Sequence, residues 1–109
     1  MPINKRKTPK SDKAIAFLEG LIKEKLTISN LVWAIRESEE MSQKEFAKLL
    51  GIAPQYLCDV EHGRRSVSPK LAAGWAKKLG YSPEQFVELA IQDELEKSGL
   101  HFNVQVKAA

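Results

Sequence analysis

Between Ser42 and Gly99 the chain is cut into short lengths by paired start and stop signals, and these admit little other than short helices. Ser42 is followed three residues later by Glu45, the pattern of a reciprocal capping box. Gly51 then stands where a left-handed residue stops a helix. Pro54 suits the first turn of the next helix, where its missing N–H costs nothing, and Gly63 closes that one. Ser68–Pro69 opens a third length that ends at Gly80. Ser82–Pro83 opens a fourth, with Gln85 completing a second capping box, and Gly99 ends it. Within each length the apolar residues recur at helical spacing. Phe46, Ala47, Leu49 and Leu50 turn inward in the first, with Lys44 and Lys48 outward. Leu57 and Val60 do so in the second, Leu71, Ala72, Trp75 and Leu79 in the third, and Phe86, Leu89 and Ala90 in the fourth.

Upstream, residues 27–40 read as another helix, begun by Thr27 or Ser29 and striped by Ile28, Leu31, Val32 and Ile35. Trp33 lies off that stripe and either packs on the preceding helix or serves a partner. Residues 11–26 form a further helix capped by Ser11, with Ala14, Phe17, Leu18, Leu21 and Ile22 on one broad face. Residues 1–10, with two prolines and almost nothing apolar, read as a disordered basic arm, either a solvated tail or a functional contact. After Gly99 the period changes: Leu100, Phe102, Val104 and Val106 alternate with polar residues, which predicts a strand over 99–109. The expected architecture is therefore all-α, five or six short helices with one C-terminal β-strand. It divides into an arm (1–10), an N-terminal helix (11–26), a helical domain (27–98) and the strand.

A chain of 109 residues, 43% of them hydrophobic, suits one compact domain. No apolar run approaches a membrane span, and the N-terminus has charges where a signal peptide needs an apolar core, so a cytoplasmic protein is expected. Cys58 is the only cysteine, which excludes an internal disulfide. Cys58 and His62 stand one turn apart, but without further ligands no metal site is expected, and no cofactor. No nucleophile, base and oxyanion donor occur together, so no enzyme is expected. Residues 1–13 hold Lys5, Arg6, Lys7, Lys10 and Lys13 against Asp12, a net of +4. The chain total of +3 leaves −1 on the remainder. A uniformly basic coat is excluded, and any contact with nucleic acid must use a local patch.

Such a patch is legible in SQKEFAKLLGIAPQYLCDVEHGRR, residues 42–65. On a helical wheel of residues 54–62, Leu57, Val60 and Glu61 share one side. Gln55, Asp59 and His62 lie opposite, with Cys58 beside them and Tyr56 on the flank. The amide of a Gln can read adenine, and an Asp can accept from the cytosine amino group. Arg64, Arg65 and Ser66 follow directly and suit phosphate. These can be ordinary surface residues. They are also what a helix seated in the DNA major groove requires.

The stretch resembles the helix-turn-helix of the XRE family, the Cro and phage-repressor type. The matching features are Ser-Gln opening the first helix, an Ala and a Leu-Gly at the turn, an aromatic early in the second helix, and hydrophobe-Glu-x-Gly followed by basic residues. Arg36 also matches. The resemblance spans about residues 28–90. It implies that Gln43, with Lys44 beside it, meets phosphate or the edge of the site. It implies that Gln55, Tyr56 and Asp59 face base edges, and that Arg64, Arg65 and Ser66 hold the backbone. It further implies a structural ion pair between Arg36 and Glu61. Pro54 departs from the pattern, standing where many members have a base-reading polar residue. Asp59 brings negative charge towards phosphate unless it meets a cytosine amino group or an arginine.

The implied function is a sequence-specific regulator of transcription, a repressor acting as a homodimer on double-stranded DNA with a pseudo-palindromic operator. A second class of function is open: small antitoxins of the HigA type are similar in size and layout, and they neutralise an RNA-cleaving toxin protein of the RelE/HigB kind while repressing their own operon. For the dimer, Val87, Ile91 and Leu95 form a second apolar stripe on the last helix. A lone strand leaves unpaired backbone groups. The same strand of a second copy, with Phe102 and Val104 packed over that stripe, would satisfy them. The competing readings of the tail are a toxin's sheet edge and disorder.

Overall fold

The computed structural model describes residues 26–109, so the expected basic arm and all but the last residue of the expected N-terminal helix lie outside the described residues. Five helices follow one another: α1 (Ile28–Ser38), α2 (Gln43–Leu50), α3 (Pro54–Glu61), α4 (Pro69–Leu79) and α5 (Pro83–Lys97). Their starts are chemical. The Thr27 hydroxyl accepts from the Asn30 amide at 3.1 Å. At α2, Ser42 accepts from the Glu45 amide (3.1 Å) while the Glu45 carboxylate accepts from the Ser42 amide (2.9 Å), so the capping box is complete. Ser68 caps α4 through the Leu71 amide at 3.1 Å, ahead of Pro69. The expected second capping box, Ser82 with Gln85, does not form. The Ser82 hydroxyl donates to the Glu84 carboxylate at 2.9 Å and caps no amide.

Each helix buries the face its spacing marks. Leu31, Val32 and Ile35 meet Phe46, Ala47 and Leu50, Leu57 and Val60, Ala72, Trp75, Ala76 and Leu79, and Phe86 and Ala90 in one continuous core. α5 packs chiefly on α4, while α3 is held between α2 and α1. The turn joining α2 to α3 is tight. Gly51 sits at φ 78°, where a side chain is strained, and a Cβ there would come within 3.0 Å of Lys78 Nζ. That ammonium is in place for a reason: it donates to the Leu50 carbonyl at 2.9 Å, satisfying a helix-end acceptor. At the end of α1 the corresponding left-handed position is taken by Glu40, at φ 56°.

No strand forms among the described residues, and the C-terminal expectation is corrected here. The alternation in residues 100–106 is real, but its backbone groups find side chains rather than another strand. Gln92 Nε2 donates to the Phe102 carbonyl (2.6 Å), and Gln92 Oε1 accepts from the Val104 amide (2.9 Å). Glu88 accepts from the Val106 amide at 3.0 Å. Extended backbone needs only partners. Gln92 and Glu88, one turn apart on α5, supply them, so the tail lies against α5 without regular secondary structure.

Candidate nucleic-acid interface

The site is assembled on α3, and its precision begins on the buried side. Leu57 and Val60 are fully enclosed, and each such side chain contributes roughly 1.5–3 kcal/mol by leaving water. Beside them the Glu61 carboxylate, its side chain 3% exposed, faces inward. It accepts from Arg36 Nε at 2.7 Å, from Arg36 Nη2 at 3.1 Å and from Gln43 Nε2 at 2.9 Å. The same guanidinium donates to the Met41 carbonyl at 2.9 Å. One buried carboxylate thus ties α3 to α1, to the loop after α1 and to the first residue of α2. The Glu61 carboxylate holds the Arg36 guanidinium even more firmly protonated than usual, with a smaller contribution from Glu37.

The opposite face is exposed and ordered by its own contacts. Gln55 Nε2 donates to Asp59 Oδ1 at 3.0 Å. Arg64 folds back over the helix end and donates to the same oxygen, from Nε at 3.1 Å and Nη2 at 3.0 Å. The main chain supports that return: the Arg64 amide donates to the Asp59 carbonyl at 2.8 Å, across Gly63 at φ 73°. Arg64 first and Gln55 second hold the Asp59 carboxyl below its usual range. Asp59 in turn raises Arg64. Next in sequence, the Arg65 guanidinium lies 4.6 Å above the centre of the Tyr56 ring, an attraction between cation and ring face. Lys44 is exposed on α2.

Of the residues singled out in the sequence, the structure brings Gln55, Asp59 and Arg64 into one cluster and Tyr56 and Arg65 into another. It turns the amide of Gln43 towards Glu61. Ser66 accepts from Lys97 Nζ at 3.1 Å, and Lys97 also approaches Asp93 at 3.7 Å. Lys97 was not a candidate in the sequence. It lies 31 positions from Ser66, and no local pattern connects them. His62 Nδ1 lies 2.8 Å from the Cys58 carbonyl and 3.6 Å from Cys58 Sγ. No group of three or more His, Cys, Asp or Glu that could hold a metal occurs among the described residues. Nor is any described helix long and apolar enough to cross a membrane. Val87, Ile91 and Leu95 are half-buried along α5, Val104 is half-buried in the tail, and Phe102 is 63% exposed.

Two short helices at a tight glycine turn, the second clamped on one face and polar on the other with arginines at its end, can enter a major groove and hold phosphates on either side. Residues 34–86 match the family model described as Helix-turn-helix. Searches of curated proteins and of solved structures find no match. That match, which takes in α2, the turn and α3, supports an XRE-type helix-turn-helix regulator of transcription that binds DNA.

Proposed function

We propose that the protein is a sequence-specific repressor that binds a pseudo-palindromic site in double-stranded DNA as a homodimer. The observation that carries this reading is the two-sidedness of α3. Its inner face is fixed by Leu57, Val60 and the Glu61–Arg36 pair. Its outer face offers Gln55 and Tyr56, with Arg64 and Arg65 at its end. In this reading Gln55 and Tyr56 meet base edges, and Arg64, Arg65 and Ser66 meet phosphate. Gln43 and Lys44 lie at the rim of the site. A small protein seated in the groove excludes others from the same DNA, so repression needs no additional part.

One helix-turn-helix reads few base pairs, and a dimer doubles the reading. Leu100 and Phe102, 45% and 63% exposed, are the large apolar side chains left open to water among the described residues. They follow directly on α5, which carries Val87, Ile91 and Leu95. A second copy of this face is the natural cover, through side chains rather than strand pairing, because Phe102, Val104 and Val106 already have backbone partners. The test is selection of bound sequences from random duplex DNA. Two half-sites related by a dyad, about 10–10.5 base pairs between centres, should be enriched. Absence of any enriched sequence refutes the reading. Enrichment of a single unrepeated half-site refutes the dimer.

A further inference from the structure

The carboxylate on the exposed face of α3 has a different use from reading a base. We propose that Asp59 is a positioning residue, which orients the Gln55 amide for adenine and anchors Arg64 beside the DNA backbone. This inference rests on the DNA-binding reading above and names how that site obtains its specificity.

Three N–H donors converge on the single oxygen Asp59 Oδ1: one from Gln55 at 3.0 Å and two from Arg64 at 3.1 and 3.0 Å. An ionised carboxylate only accepts. The nitrogen of the Gln55 amide, and not its oxygen, must therefore face Asp59, which settles the orientation of an otherwise reversible group. One amide hydrogen is then engaged by Asp59. In this proposal the second hydrogen and the carbonyl oxygen are the pair left to face the base. They form the donor–acceptor pair that matches N7 and the amino group of adenine in the major groove. A freely turning Gln presents its amide either way round and discriminates less.

Arg64 is arranged by the same oxygen. Two of its nitrogens are turned towards Asp59, and its other terminal nitrogen is left for a phosphate. The guanidinium also offsets the negative charge that Asp59 brings close to DNA. Gln55, Asp59 and Arg64 thus act as one unit in which backbone anchoring and base reading share a hinge. Gln55 stands four residues before Asp59 and Arg64 five after it.

The experiment is sequence selection from random duplex DNA with the wild-type protein, Gln55→Ala, Asp59→Ala and the double variant, each first shown to melt as the wild type does. The result expected is that Gln55→Ala and Asp59→Ala lose preference at the same base pair, an adenine, by roughly 5- to 150-fold. The double variant should lose no more there than Gln55→Ala alone, and other positions should keep their preference. Asp59→Glu, which restores a carboxylate, should recover part of the preference. If Asp59→Ala instead loses a cytosine that Gln55→Ala keeps, Asp59 reads a base directly and the inference is overturned. Wild-type preference in Asp59→Ala overturns it as well. A wild-type protein that enriches no sequence overturns the DNA-binding reading, and this inference with it.

Discussion

Replacing Glu61 by Ala tests whether α3 is held by its buried carboxylate. The substitution removes the acceptor of three hydrogen bonds, two from Arg36 and one from Gln43. Arg36 keeps its bond to the Met41 carbonyl and its approach to Glu37 at 3.4 Å. Its side chain is only 12% exposed, so most of the charge cannot return to water. Stranding one member of a buried pair costs about 3–5 kcal/mol. The remaining partners of Arg36 argue for the lower end, about 3 kcal/mol, and for a domain of this size that lowers the melting temperature by roughly 12–24 °C. Circular dichroism melts with and without DNA are the assay, and the loss should appear in both. Asp59→Ala, on the exposed face, should melt close to the wild type. Arg36→Met with Glu61→Met should recover much of the loss, because apolar replacement of both partners leaves no unpaired charge. If Glu61→Ala melts within a few degrees of the wild type, the carboxylate is not what ties α3 to α1 and α2.

Three further outcomes follow from the same geometry. Arg64→Ala with Arg65→Ala should weaken binding to all duplexes alike and make the slope of log affinity against log salt shallower by roughly 0.9 for each phosphate that the variant leaves unneutralised; an unchanged slope in fluorescence anisotropy titrations would mean that neither arginine meets the DNA backbone. Glu40→Gly should raise stability by about 1 kcal/mol in urea denaturation, because φ 56° is costly for a residue with a side chain and unstrained for glycine; a decrease in stability would mean that the Glu40 side chain matters more than its backbone. The Asp59 carboxyl is depressed in the folded protein, so its contribution is present above the unfolded value of about 3.9 and disappears only as pH falls through the lower folded value. NMR titration should therefore show the Asp59–Arg64 contact intact at pH 5, and detachment of Arg64 above pH 4 would contradict the clamp.

The local chemistry of this chain is written in short stretches, and those were legible. The Ser42–Glu45 box, the prolines at 54, 69 and 83 and the glycines at 51, 63, 80 and 99 act within a turn of where they stand, so helix boundaries follow from neighbours alone. The inward set of Phe46, Leu57, Val60, Trp75 and Phe86 follows from helical spacing, because burial needs only a face and not a known partner. Where α3 points its Gln, Tyr and Asp was likewise legible from the wheel. What the tertiary structure decided is which polar groups meet. Gln43 turns to Glu61, 18 residues away, and Lys97 reaches Ser66, 31 residues away; no periodicity carries such a pairing, since it depends on how two helices come to lie side by side. The second capping box does not form, and the Ser82 hydroxyl is turned to Glu84 instead of the Gln85 amide. The tail shows the division most plainly. Alternation predicted a strand over residues 99–109, but a strand is a relation between two segments and none forms there. Only the packed chain decided that Gln92 and Glu88 of α5, and not another strand, would take the hydrogen bonds.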